Sequence, residues 1–185
     1  PVGLNFEGYT KIMERTDVWQ GYWNTIVYTL MTVVFSLLVT VPAGWALSRK
    51  TLPGKKFLMM FFIVPMFFGG GLIPSYMLIQ SLGMMDSIWA LILPSSVPVW
   101  NIILLLNFYR TIPTELEDAA YIDGASHWRT LFQIYVPCSL PSLATLTLFC
   151  TVGHWNAWFD GLIYMDDPAH YPLQSYLKTI FVDVT

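Results

Sequence analysis

The sequence predicts an all-α membrane protein, and three observations carry that expectation. First, 55% of the residues are hydrophobic and only 11% are charged, whereas soluble domains carry about 25% charged residues. Second, the charges are segregated: residues 21–48, 57–85, 87–109 and 138–159 contain no Asp, Glu, Lys or Arg, and each stretch is long enough to cross about 30 Å of hydrocarbon as a helix. Third, the stretch from Pro113 to Pro141 interrupts this apolar background with four of the twelve acidic residues and Arg129. The net charge of −3 and the lack of any strongly basic tract exclude a nucleic-acid partner. We therefore expect a single transmembrane domain over 1–185, with crossings at about 21–48, 57–81, 87–109 and 138–160 and a polar loop at 110–137.

Residues 1–20 carry Glu7, Lys11, Glu14, Arg15 and Asp17 and suit an extramembrane lead-in, ending at the interfacial aromatics Trp19 and Trp23. The first crossing has Pro42, Gly44 and Trp45 near its far end. Arg49, Lys50, Lys55 and Lys56 follow around a Leu52-Pro53-Gly54 turn, the densest positive cluster in the chain. Pro65, Gly69-Gly70-Gly71 and Pro74 make the second crossing a poor continuous helix. It is either a kinked helix satisfied by its neighbours or a deformable element. The third crossing holds Pro94, Ser95, Ser96, Pro98, Trp100 and Asn101 at its middle. Polar residues at that depth face protein or a water-filled path rather than lipid, so Ser95, Ser96 and Asn101 are either structural or path-lining.

The loop reads as helix, glycine break, helix. Thr114 is expected to N-cap the first helix, with Glu117 at the spacing of a capping box. Asp123-Gly124 ends that helix, and Ser126 caps a second one running through His127, Trp128, Arg129, Phe132 and Ile134 toward Pro137. Ala119, Ala120 and Ala125 would let a partner approach closely, and Trp128 and Phe132, four apart, would share one face as an anchor. The fourth crossing ends in His154-Trp155-Asn156-Ala157-Trp158-Phe159-Asp160. Its indoles are interfacial anchors, or else Trp155, Asn156 and Trp158 contact a solute, since an aromatic face with an amide beside it suits a sugar. Nothing after residue 160 reads as another crossing. Cys138 and Cys150, if on one helix, lie about 18 Å apart, too far for a disulfide within it.

At this loop the sequence resembles a known family. Asp118-Ala119-Ala120, three residues, Gly124, nine residues, Ile134, one residue and Val136-Pro137 follow the EAA loop of ABC importer permeases. The flanking helices and the WNAWFDGLIY stretch resemble sugar permeases of the maltose-transporter type, and most closely the branch linked to complex-polysaccharide uptake. Asp118 replaces the motif's glutamate, with Glu117 just before it, and Val136 replaces its leucine. The resemblance implies an ATP-driven importer of an oligosaccharide. Glu117, Asp118, Ala119, Ala120, Asp123, Gly124 and Ala125, supported by Trp128 and Arg129, would dock a cytoplasmic ATPase dimer. A second, related permease and an extracytoplasmic solute-binding protein would complete the assembly. ATP and Mg would be used by the ATPase, and this chain would bind no cofactor or metal. The family has six helices, so one more is expected on each side of these four.

Charge alone orients the chain. With the loop cytoplasmic, Arg49, Lys50, Lys55, Lys56, Arg110 and Arg129 lie inside, and Lys11, Arg15 and Lys178 outside, as the positive-inside tendency requires. Other functions fit less well. No G-x-x-x-x-G-K-[ST], H-E-x-x-H or G-x-S-x-G occurs, His127, His154 and His170 are scattered, and Asp160 with Asp166 or Asp167 is a weak carboxylate pair. A channel or proton-coupled carrier would need an ionisable relay inside a crossing, and none is present. A structural membrane subunit remains open, opposed only by the loop.

Overall fold

A computed structural model describes residues 15–183, the last three as backbone only. The expected lead-in over residues 1–14 lies outside the described residues. The helices are α1 (Thr16–Ser48), α2 (Lys55–Phe67), α3 (Leu72–Ser81), α4 (Ile88–Ser95), α5 (Val99–Tyr109), α6 (Thr114–Ile122), α7 (His127–Cys138), α8 (Leu140–Trp155), α9 (Phe159–Tyr164) and α10 (Leu173–Asp183). No strand occurs among the described residues.

By length and composition, Thr16–Ser48 and Ile88–Tyr109 can each cross a membrane, and two more spans result if each broken helix pair is counted as one. The breaks fall at residues that explain them. Gly71, at φ 88, lies between α2 and α3, in a conformation closed to most L-residues. Pro98, which has no amide hydrogen to give, precedes α5. A π-helical turn, Leu131–Tyr135, lies inside α7, and Ser139 separates α7 from α8, which bend by 81°. Cys138 and Cys150 therefore sit on different helices, and both are free thiols.

The chain divides into two compact units. One comprises residues 33–71 and 95–150. Its main cluster joins Val41 and Trp45 of α1, Leu105 and Tyr109 of α5, Ile112, Leu131 and Tyr135 of α7, and Leu146 of α8. A second cluster sets Leu47 against Ile102 and Leu106, with Met59 and Phe62 of α2 beside them. Gly44 permits this close approach: a β-carbon there would meet Leu105 Cβ and Leu106 N at 3.4 Å. In lipid, where apolar burial gives little drive, such small-residue contacts are what hold helices together.

Among the described residues, the other unit comprises 15–32, 72–94 and 151–183. Asn24 Nδ2 donates to the carbonyls of Ala169 (2.8 Å) and Tyr171 (3.2 Å), and Leu173 N donates to Thr25 Oγ1 at 2.8 Å. Asp86, at φ 52, accepts from the amides of Asp166 and Asp167 at 3.2 and 3.3 Å through Oδ1, with His170 Nδ1 3.6 Å away. Those bonds hold the Asp86 carboxyl below the usual carboxylate range, the amide of Asp167 being the main cause. The polar tail after residue 160 is thus structured, with α10 amphipathic through Leu173, Tyr176, Leu177 and Ile180.

Candidate functional site

The loop residues form two helices whose inner and outer faces differ in chemistry. One correction concerns the start of α6. Thr114 is its first helical residue, Pro113 occupies the cap position, and no side chain caps the helix. The capping box fails because Glu117 turns elsewhere. Its Oε1 pairs with Arg49 Nη2, and its Oε2 accepts from Tyr135 Oη at 2.6 Å. The end and restart of the helices follow expectation. Asp123 terminates α6, Gly124 has φ 75, and Ser126 Oγ accepts from Arg129 N at the start of α7.

Arg49 is the centre of the inner face. Its Nη1 donates to Tyr121 Oη at 2.7 Å, and Tyr121 shares a 2.8 Å hydrogen bond with His127 Nδ1. Since Tyr121 accepts from Arg49, its own proton is free for the imidazole. The guanidinium also lies 4.9 Å from the Trp45 ring centroid and 5.6 Å from that of Tyr121, in cation–π range. Trp45 and Tyr109 each contact Tyr135 edge-on. The first loop helix, α6, is therefore tied to the end of α1 by charge-assisted bonds, which are stronger than neutral ones, and α7 is tied to α6 by the bond from Tyr135 to the Glu117 carboxylate. The side chains of Arg49 and Glu117 are 19% and 13% exposed, so solvent screens the pair only in part.

The outer face is apolar. Ile122 is 86% exposed, and Trp128 and Phe132 stack with centroids 6.1 Å apart while both are exposed. Asp118, Ala119, Asp123, Gly124 and Arg129 are also exposed, whereas Ala120 and Ala125 are half-buried. Arg129 bonds Gln133 at 2.9 Å. Sequence reasoning missed Ile122, Arg49, Tyr121 and Tyr135. An arginine directly after a 31-residue uncharged run, four residues from a tryptophan, was the signal for the inner cluster.

The residues suggested for a path fall in different surroundings. Asn101 is buried and its Nδ2 lies 3.1 Å from Cys150 Sγ. Ser96 is buried and Ser95 half-buried. In the other unit, Trp155 packs edge-on against Tyr22, and exposed Asn156 bonds back to Val152 O. Trp158 carries Lys178 Nζ 4.9 Å above its ring, and its carbonyl accepts from Ser175 Oγ. No cluster of metal-ligating side chains occurs among the described residues.

Residues 18–168 match the family described as binding-protein-dependent transport system inner membrane component. The chain is 34% identical over 182 residues to the polygalacturonan/rhamnogalacturonan transport system permease protein YtcP of Bacillus subtilis, covering 98% of this chain and 64% of that protein. It is 32% identical to the galactooligosaccharides transport system permease protein GanQ of the same organism, covering all of this chain and 68% of that one. A crystal structure of a bacterial ABC transporter involved in the import of the acidic polysaccharide alginate superposes with a TM-score of 0.95 at 34% identity, over 100% of this chain and 66% of that one. The chain thus spans about two thirds of the length of these relatives.

Proposed function

The chain belongs to the family of binding-protein-dependent transport system inner membrane components, and on that premise we propose that it is a permease subunit of an ATP-driven carbohydrate importer in a bacterial cytoplasmic membrane. The loop 110–137 is the coupling element. Its outer face, with Ala119, Asp123 and Gly124 around the exposed apolar side chains of Ile122, Trp128 and Phe132, docks a separate cytoplasmic ATPase that uses ATP and Mg. Its inner face, through Glu117, Tyr121 and Tyr135, passes the movement to Arg49 at the end of α1. The observation that carries this reading is that one pair of short helices combines an exposed aromatic anchor with a charge-locked inner face.

A second permease and an extracytoplasmic solute-binding protein complete the importer, and the solute is an oligosaccharide. The similarity to a polygalacturonan/rhamnogalacturonan permease and to an alginate importer supports that substrate class. The aromatic and amide groups of Trp155, Asn156 and Trp158, and the polar groups of Ser95, Ser96 and Asn101, are its proposed contacts along the path.

The test is a detergent pull-down of the full-length protein with its partners, comparing wild type with Ala119→Arg. Ala119 is exposed, so the substitution leaves the fold intact while placing a long cation on the docking face. Co-purification of an ATPase with wild type and its loss with the variant is the expected result. A permease that purifies without any ATPase, or one that keeps it despite Ala119→Arg, would overturn the coupling role and favour a structural subunit.

A further inference from the structure

Beside the inner face of α6 lies a cavity of about 600 Å³, walled partly by the coupling residues Arg49, Glu117, Tyr121 and Tyr135 and partly by cations to which the coupling role gives no part. Arg49, Lys50, Lys55 and Arg110 line it, against Glu117 and Asp118. A volume of this size falls within the usual range for small-molecule sites. Four cations and two carboxylates leave the lining positive by two charges, in a chain whose net charge is −3.

The individual partners sharpen that surplus. Glu117 is engaged by Arg49 and Tyr135. Lys55 Nζ donates to the carbonyl of Arg49 at 2.8 Å and contacts that of Ser48 at 3.4 Å. Arg110 and Lys50 act on Lys55 as like charges, and the side chains of Lys50 and Arg110 make no ion pair among the described residues. Mutually repelling cations around a cavity are relieved by an anion with several acceptor oxygens.

What stands next to the cavity indicates the anion's other half. Lys55 begins α2, and the helix continues with Phe57 (74% exposed), Met60 and Phe61, all unburied and apolar. A cationic cavity at the head of an exposed apolar helix matches an amphiphile with an anionic head and hydrocarbon tails. Lys and Arg at membrane-helix ends attract anionic lipid.

We propose that this cavity is a phosphate-binding site that takes the headgroup of an anionic phospholipid, with the acyl chains along α2. The inference rests on the chain being a membrane component and not on transport or on any ATPase.

The test is native mass spectrometry of the full-length protein, with any co-purifying partners, from micelles holding equal phosphatidylglycerol and phosphatidylcholine. Wild type is expected to retain phosphatidylglycerol at least about fivefold over phosphatidylcholine. Lys50→Gln with Arg110→Gln is expected to bring that ratio near one, and Lys50→Arg with Arg110→Lys to restore it. Both positions are exposed, so these variants keep the fold. A separate arm adds inorganic phosphate. Displacement of the lipid only at high phosphate supports the headgroup, and retention of phosphate by lipid-free protein that the double Gln variant loses supports a site for free phosphate. A wild-type ratio near one with no phosphate retained, or a preference unchanged in the double Gln variant, overturns the proposal. Loss of the ATPase in the Ala119→Arg pull-down leaves this result untouched, so the two readings fail separately.

Discussion

The contact between Arg49 and Glu117 can be weighed directly. Glu117 accepts two bonds as a carboxylate, one from Arg49 and one from Tyr135, and bonds to charged groups contribute about 1.5–3 kcal/mol each. A pair on the open surface would couple by about 0–1 kcal/mol, and truncating one partner of a fully buried pair costs about 3–5 kcal/mol. With 19% and 13% exposure the pair lies between these limits, which places its coupling at about 2 kcal/mol, or roughly 30-fold in an equilibrium. The perturbation is a double-mutant cycle of Glu117→Gln and Arg49→Gln in the full-length protein. The assay is amide hydrogen exchange of α6 in detergent. Each single variant should raise exchange in α6, and the double variant should cost about 2 kcal/mol less than the sum of the singles. Additivity within about 0.5 kcal/mol, the behaviour of independent sites, would refute the lock between the loop and α1.

Further outcomes follow from other positions. Trp128→Ala with Phe132→Ala should weaken capture of the ATPase by about 30-fold or more, as loss of an aromatic hot spot of about 2 kcal/mol would, while the exchange of α5 stays unchanged. At Gly124 a β-carbon meets nothing within 4 Å but φ is 75. Gly124→Val should therefore cost about 1–2 kcal/mol from backbone strain alone, read as a lower thermal midpoint, with Gly124→Asn recovering part of it. Gly161→Ala is the opposite case, since its β-carbon would lie 2.3 Å from Ser175 Oγ and 2.9 Å from Pro172 Cδ. Overpacking there should cost about 1–3 kcal/mol, visible as faster exchange in α10. Asp86 has a lowered carboxyl pKa, so its contribution is present above its unfolded value and is lost as pH falls through the lower folded one. Exchange at the amides of Asp166 and Asp167 should rise in acid below about pH 4, and Asp86→Asn should show raised exchange at neutral pH with that dependence gone.

Much of this was legible because charge and proline are blunt signals. The glycine break at Gly124 and the Ser126 cap were both read from local chemistry, and the structure carries each of them at the expected position. Two kinds of feature escaped. Pairings distant in sequence, such as Arg49 with Glu117 or Asp86 with the amides of Asp166 and Asp167, depend on packing that no local pattern encodes. Thr114 shows the consequence: its spacing to Glu117 satisfies the capping rule, but an arginine 68 positions earlier offers the carboxylate a stronger partner than a backbone amide. Short helices such as α9 and α10 escaped because a membrane-scale window ignores eleven-residue amphipathic segments. The apolar spacing of Leu173, Tyr176, Leu177 and Ile180 was present in the sequence all along.

The placement of Arg49 also explains why the cations divide into two groups. The C-terminal end of α1 presents unsatisfied carbonyls and the negative pole of a long helix. Arg49 stands at that pole, and Lys55 reaches back to the carbonyls of Ser48 and Arg49. Those two cations have a structural duty, and Glu117 balances one of them. Lys50 and Arg110 have no such duty: they lie exposed, unpaired among the described residues, on the wall of the same cavity. Had helix capping been the whole requirement, a lysine and an arginine with no partner would add only repulsion beside Lys55. Their position is accounted for if an anion from outside the chain completes the cluster. The charges that bind α6 to α1 and the charges left over for that anion then form one electrostatic unit, divided by which of them the protein itself neutralises.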